Sequence, residues 1–208
     1  MLYGISFFLP TIVNQLGYTA NAANLLTIPM YVVAAIATVL VAWLSDHTRK
    51  RYIYVLAMQG VLVVGFIFSI AGSAVGGGTR LAGLRYAGVF LATVGCYPYY
   101  IVNLVWVATN VSPTYKRGAA MALQIGMGNM GGAMASNFYR PQDSPGFVLG
   151  HSIEMGFVLL AIVAGIGLRW AYGHINRKRD LDADAAERYS DGELAEMGDR
   201  APTFRYNY

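Results

Sequence analysis

The sequence has 208 residues and a formal net charge of +4, with 56% hydrophobic and only 12% charged residues. A soluble domain is about 25% charged. Residues 1–173 hold only nine basic and three acidic side chains, too few to cover the surface of a soluble fold. The composition therefore excludes an ordinary cytosolic domain and predicts an all-α, polytopic membrane protein. The basic residues lie in short clusters between apolar runs, which argues against nucleic-acid binding.

Six apolar runs follow one another, and five of them reach the length of about 20 residues that a membrane-spanning helix needs. The first run, residues 1–13, is shorter, and no basic residue precedes Arg49, so a secretory signal peptide is disfavoured. We interpret it as a spanning helix that lacks its beginning, with Pro10 in a kink that membrane helices tolerate. The five longer runs cover residues 25–44, 53–73, 84–107, 119–137 and 153–172.

The loops between these runs predict the orientation of the chain. Alternate loops carry eight basic residues on one side and three, Arg80, Arg85 and Arg140, on the other. By the positive-inside rule the richer side is cytoplasmic. Residues 174–208 then form a cytoplasmic tail whose mixed charge predicts a largely disordered segment, with a short surface helix within residues 183–196. The sequon at Asn110 falls on the cytoplasmic side, so we expect it to be unused.

Catalytic signals are mostly absent from the sequence. His47, His151 and His174 fall in three different loops, which argues against a shared metal site, and Asp46, Asp143 and Glu154 lie at the ends of runs. The single Cys96 lies within an apolar run, so we expect it to be a small core residue. The sequence predicts neither an enzyme nor a bound cofactor or metal.

The fifth run carries a stripe of small and polar residues. Glycine-rich motifs that bind nucleotides follow a strand, whereas this one lies within an apolar run. Small residues spaced four apart let another helix, or a substrate, approach the backbone closely. Gln124 and Asn129 favour a cavity, because polar amides in membranes normally face a bundle interior. Helix packing alone remains the alternative. The stripe consists of Ala120, Gln124, Gly128, Gly132 and Ser136.

The fourth run carries a polar and aromatic face. Tyr99, Asn103, Trp106 and Asn110 are spaced four, three and four residues apart, so they share one side of a helix. Such a face lines a water-filled cavity, or else combines core packing with an aromatic belt at the membrane surface. The belt accounts for Trp106 and Asn110 better than for Tyr99 and Asn103.

The loop after the second run resembles the signature loop of the major facilitator superfamily, roughly Gly-x-Leu-x-Asp-Arg-x-Gly-Arg-Lys. It keeps Leu44, Asp46, Lys50 and Arg51, while the glycine and the first arginine are replaced, as is typical of the second copy of the motif. The resemblance implies that Asp46, Lys50 and Arg51 form a cytoplasmic latch that favours one of two alternating states.

Three further stretches narrow the resemblance to the anion:cation symporter family, which includes fungal allantoate and nicotinate permeases. Residues 3–13 are similar to its seventh helix. Trp106 and Asn110 with the following Lys116-Arg117-Gly118 are similar to its tenth helix and loop, and residues 138–151 to the loop before helix 12. The resemblance covers residues 1 to about 180 and implies the C-terminal half of a transporter, helices 7–12.

The resemblance implies uptake of a small organic anion, a carboxylate such as nicotinate, allantoate or a vitamin, together with a proton. The missing N-terminal six-helix half, or another membrane subunit, would be the partner within the lipid bilayer. Substrate would bind near the midplane between the two halves by alternating access. The candidate cavity residues are Tyr3, Tyr99, Asn103, Gln124, Gly128 and Asn129.

Two alternatives stay open at this point. The chain could be a non-transporting truncated fragment, or a membrane interaction partner that assembles with other proteins. The plasma membrane is the family default, and a vacuolar membrane is the other location.

Overall fold

The computed structural model contains a helix for each of the six apolar runs, and a short seventh helix follows. It describes residues 2–14, 16–74, 81–144, 146–182 and 188–208, and these contain no strand. The all-α, six-helix prediction is therefore confirmed. The helices are α1 (Leu2–Asn14), α2 (Ala20–Thr48), α3 (Arg51–Ala74), α4 (Ala82–Thr109), α5 (Thr114–Phe138), α6 (Val148–Leu181) and α7 (Asp191–Met197).

Some helices extend beyond their apolar runs, because capping residues and charges determine where a helix ends. α2 begins before residue 25 because the Thr19 hydroxyl accepts a hydrogen bond from the Ala22 amide, at 3.4 Å. Its other end is closed by Arg49 in the left-handed region, with φ of 55°. α6 continues past residue 172, with Lys178 and Arg179 in its last turn. Cations stabilise that end of a helix, so the helix extends into the charged tail.

Four of the described helices, α2, α3, α4 and α6, are long and apolar enough to cross a membrane. Five full spans were expected from the sequence. The difference is α5, which has 25 residues but carries glycines, Gln124 and asparagines that lower its hydropathy. α1 is a shorter apolar helix of 13 residues.

Glycines let α3 and α4 make the most extensive helix contact of the bundle. A Cβ atom on Gly65 would lie 2.5 Å from the backbone nitrogen of Ala92, and one on Gly88 would lie 2.6 Å from that of Ser69. Both distances are shorter than real contacts, so only glycine allows this approach. α2 packs on α4, and α6 packs on α3.

The core lies where α1, α2, α3, α4 and α6 meet. Its largest fully buried apolar side chains include Leu9, Met30, Leu62 and Phe66. Cys96 on α4 lies in the same core, 1% exposed, as expected of a small apolar residue.

The basic loops gather at one end of the bundle, which we call the basic end (residues 45–52, 106–117 and 169–179). Tyr52 at the start of α3 lies 5.8 Å, between ring centroids, from Trp106 near the end of α4. The Arg169 guanidinium of α6 lies 5.1 Å from the centre of the same Tyr52 ring. The loop with Arg80 lies outside the described residues.

The opposite end holds a buried polar cluster whose members were expected at helix ends or in loops. Arg85, His151 and Glu154 are 5%, 4% and 1% exposed. His151 Nδ1 lies 3.2 Å from the Tyr139 hydroxyl. A Cβ on Gly4 would collide with a Glu154 carboxylate oxygen, so α1 crosses α6 at this carboxylate. Glu154 thus lies near the start of α6, at the end of a run as expected from the sequence, and it is buried there.

Residues 198–208 fold back across the basic end, and we call them the C-terminal strap. Asn110 of α4 and Asn176 of α6 each form a reciprocal pair of side-chain hydrogen bonds with its backbone, at Asn207 and Tyr206, over 2.7–3.1 Å. The Tyr206 ring stacks on Tyr172, with centroids 4.5 Å apart. Composition alone predicted disorder for this tail, and the described residues 188–208 differ because buried amide and aromatic groups of α4 and α6 hold them.

Candidate functional site

The candidate site is a cavity of about 140 Å³ between α1, α4 and α5. No lining residue carries a formal charge, so the cavity offers hydroxyl, amide and thiol groups within apolar walls. Four predicted site residues meet here: Tyr3, Tyr99, Gly128 and Asn129. The other lining residues are Leu2, Cys96 and Tyr100.

Tyr3 and Asn129 connect α1 and α5 across this cavity. The Tyr3 hydroxyl donates to Asn129 Oδ1 at 2.5 Å. Its ring lies over Gly132, where a Cβ would be 3.2 Å from Tyr3 Cγ. A Cβ on Gly128, one turn away, would meet nothing within 4 Å, so this position leaves the cavity open. The small stripe thus serves both helix packing, at Gly132, and the cavity, at Gly128.

A second polar layer adjoins the cavity. Ser6 Oγ and the Tyr97 hydroxyl are 2.9 Å apart, connecting α1 to α4. Tyr31 of α2 meets Tyr97 edge to face, with centroids 6.0 Å apart. The Tyr99 side chain interacts with Gln59 of α3, which is 3% exposed. Gln59 was not among the residues predicted from the sequence, although a single amide within an apolar run was a usable signal.

Two predicted site residues do not line this cavity. Asn103 on α4 and Gln124 on α5 are half-buried, one or more turns from it toward the basic end. The Gln124 carbonyl oxygen is buried and has no hydrogen-bond partner among the described residues. The side chain of Ser136, the last residue of the predicted stripe, lies outside the described part of the chain.

Trp106 and Asn110 hold the C-terminal strap instead of facing the cavity or the lipid. They are 4% and 3% exposed. Trp106 Nε1 donates to the Asn207 carbonyl at 2.8 Å. Their burial fits the core packing that was one part of the second interpretation, and the aromatic belt at the membrane surface stays a prediction.

The residues predicted to form a latch meet at the basic end. Arg51 and Asp46 form an ion pair of 2.8 Å, with 16% and 65% of their side chains exposed. Lys50 is exposed beside them, and Arg49, in the left-handed conformation, reverses the chain between α2 and α3. The spacing of five residues across this turn is what brings the carboxylate to the guanidinium.

Each of the three histidines packs against a different aromatic side chain. His47 stacks on Trp43, His151 is buried beside Tyr139, and His174 stacks on Trp170. Among the described residues no group of three or more His, Cys, Asp or Glu side chains could hold a metal ion.

Comparison with known proteins decides the family. Residues 3–168 match the family model described as sugar (and other) transporter. The chain belongs to this family. This family is part of the major facilitator superfamily, and the all-α fold with long apolar helices is consistent with that membership.

The chain spans about 40% of the length of the fungal relatives that it matches. An uncharacterized transporter of Schizosaccharomyces pombe is 33% identical over 99% of this chain and 39% of its own length. The MFS-type transporter cnsO of Penicillium expansum is 33% identical over 98% of this chain and 40% of its own. The high-affinity nicotinic acid transporter of Saccharomyces cerevisiae is 26% identical over 99% of this chain and 38% of its own. No solved structure matches the chain.

Proposed function

We propose that this chain is the C-terminal, six-helix half of a transporter that moves a small organic anion, with a proton, by alternating access. The observation that carries the proposal is the cavity in which Tyr3, Tyr99 and Asn129 converge from three helices. Transporters of this architecture bind substrate near the midplane, between two halves. Hydroxyl and amide groups suit the carboxylate and ring nitrogens of molecules such as nicotinate.

Two further findings support the choice of an organic anion. One relative is named a nicotinic acid transporter and aligns over 99% of this chain. The cavity itself offers hydrogen bonds without an acidic side chain that would repel an anion. The charge that balances the anion would come from the N-terminal half, which the chain, spanning about 40% of its relatives' length, does not include.

We propose a plasma-membrane protein with the basic end and the C-terminal strap in the cytoplasm. The basic loops lie together at that end, as the positive-inside rule requires of cytoplasmic loops. The Asp46–Arg51 ion pair, at 2.8 Å, would then act with Lys50 as the cytoplasmic latch.

The test is uptake of radiolabelled nicotinate, allantoate and pantothenate by the transporter containing this half. Tyr3→Phe and Asn129→Ala each remove one side of the 2.5 Å hydrogen bond in the cavity. Loss of one substrate hydrogen bond should raise the apparent KM about three- to tenfold. A protonophore should abolish accumulation if a proton moves with the substrate.

Asn137→Ala is the matched control, because Asn137 is on the same helix and exposed, and its side-chain amide donates to the Ala133 carbonyl of that helix. It should leave KM unchanged. Equal KM values for all three variants would remove this cavity from the substrate path. Uptake by none of the full-length proteins would favour the alternative, a membrane protein that assembles with others without transporting.

A further inference from the structure

We propose that the outer face of α6 at the basic end binds the phosphate headgroup of an anionic membrane lipid. The site is a groove of about 350 Å³, separate from the substrate cavity. Its walls are Arg169, Trp170, His174, Arg177 and Tyr208, over a floor of Ile166 and Gly173. The proposal rests on the orientation proposed above, which places this end in the cytoplasmic leaflet, where anionic lipids are concentrated.

The spacing along α6 builds the cationic wall. Arg169, Gly173 and Arg177 are four residues apart, so they share one helix face, and the Tyr208 ring packs over the glycine. Two arginines on one helix face match a phosphate, because guanidinium groups bind phosphate oxygens through paired N–H donors.

Within the described residues, neither guanidinium group forms an ion pair with an acidic side chain. Arg169 lies over the buried Tyr52 ring, 5.1 Å from its centre, which fixes its position without cancelling its charge. Arg177 makes no hydrogen bond or ion pair with the part of the chain that the structure describes. The neighbouring acids are engaged elsewhere, Asp180 with Arg205 at 2.8 Å and Asp182 with Arg188 at 3.1 Å.

The depth of the groove favours a lipid over a soluble phosphate compound. Trp170 is 75% exposed, at the point where the apolar run of α6 gives way to its charged end. Tryptophan is enriched at the headgroup level of bilayers. Val163 and Ile166, on the same face of α6 as Trp170, are 66% and 51% exposed, a surface suited to acyl chains. The groove therefore offers contacts to both parts of a phospholipid.

The C-terminal strap completes the groove. The Tyr208 ring lies across Gly173, 3.7 Å from the position that a Cβ there would occupy. Its hydroxyl adds a neutral hydrogen-bond donor to the two guanidinium groups. The backbone of the preceding Asn207 is held by Asn110 and Trp106, so the wall that Tyr208 forms is positioned by the end of α4.

The experiment measures phosphatidylinositol binding to the purified chain by native mass spectrometry. The chain is held in neutral detergent, so the surface potential of a charged bilayer does not contribute to binding. Arg169→Gln combined with Arg177→Gln should weaken binding about tenfold or more. Arg169→Lys with Arg177→Lys retains both charges but loses the paired N–H donors, so its affinity should lie between those of the native chain and the glutamine variant. Phosphatidylcholine should bind all variants weakly and equally.

The matched control is Arg49→Gln with Lys50→Gln, which removes two exposed cations from the same end but outside the groove. It should leave phosphatidylinositol binding unchanged. The proposed site would be overturned by an equal loss of phosphatidylinositol affinity in this control, or by unchanged affinity in the glutamine variant of the groove. A lysine variant that binds as weakly as the glutamine variant would overturn it as well. Displacement of the lipid by inorganic phosphate or free inositol phosphate would overturn the assignment to a lipid.

Discussion

At the residue scale, Gly65 fixes how closely the two central helices approach. A Cβ there would lie 2.5 Å from a backbone atom of α4, which cannot turn aside as a side chain could. Gly65→Ala should therefore lower the stability of the bundle by about 1–3 kcal/mol. Thermal unfolding in detergent, followed by size-exclusion chromatography, measures this.

Gly60 on the same helix provides the control. A Cβ at Gly60 meets nothing within 4 Å. Gly60→Ala should be neutral or stabilising by up to about 1 kcal/mol, because alanine has the higher helix propensity. A similar Tm for both variants would show that the α3–α4 approach is looser than the structure has it.

Residue identities in the cavity were largely predictable, whereas their partners were not. Tyr3, Tyr99 and Asn129 stood out because a polar group within an apolar run normally faces the interior of a helix bundle or a cavity. Asn103 and Gln124 stood out equally but lie outside the cavity, since helical spacing fixes a face and not a depth. Nothing local in the sequence shows that Trp106 and Asn110 contact a segment about a hundred residues away.

At the element scale, the C-terminal strap depends on asparagine side chains that replace missing backbone partners. Asn110 accepts from the Asn207 amide at 2.7 Å and donates to its carbonyl at 3.1 Å. Asn110→Ala leaves both groups without these bonds and should favour strap opening by about 1–3 kcal/mol. Faster hydrogen exchange at residues 204–208 would show it. Asn103→Ala on the same helix should leave exchange there unchanged, and faster exchange in both variants would contradict the specific contact.

The short helix α7 has a capping box that predicts a pH effect. Hydrogen bonds from the Ser190 amide and hydroxyl lower the pKa of Glu193. The pKa of Glu193 is lower in the folded chain than in the unfolded chain, so its contribution to the stability of α7 is complete above the unfolded pKa. That contribution is lost as the pH falls through the folded pKa. An NMR titration of the Ser190 amide should therefore show a midpoint below about 4.3, the usual Glu value. Glu193→Gln should remove the transition, and a midpoint at or above the usual value would contradict the box.

Elements were predicted well where hydrophobicity alone defines them. All six runs became helices, but α5 is less apolar than a typical span because its face carries the groups that line the cavity. The extension of α6 to Leu181 and the strap could not be read from apolar runs. Both depend on tertiary contacts to Tyr172, Asn176 and α4, which override the disorder expected of a charged tail.

At the scale of the whole molecule, orientation is open to a direct test. Cys96 is the single cysteine and is buried, so the native chain should be unlabelled by an impermeant maleimide. Tyr115→Cys at the basic end and Gln142→Cys at the other end each add one exposed thiol. Intact cells should label Gln142→Cys only, and permeabilised cells both. Labelling of Tyr115→Cys in intact cells would reverse the orientation.

The face of α5 beside the cavity exposes large apolar side chains. α5 exposes Leu123, Met127 and Met130, each about 70% exposed, next to Asn129 and the glycine stripe. In the proposed full transporter this face would meet the N-terminal half, where small residues allow close approach.

The C-terminal strap has a consequence for how the molecule opens. The strap is held by Asn110 at the end of α4 and Asn176 of α6, which lie 97 and 30 positions before their partners in the sequence. Both asparagine side chains form hydrogen bonds with the strap backbone. Segments of this kind undergo local unfolding at a much lower free energy than the bundle that carries them. Any motion that separates the ends of α4 and α6 must therefore release the strap first, and a closed strap opposes that motion by the same free energy. The distance between the ends of α4 and α6 is thus coupled to the protection of the strap amides against hydrogen exchange.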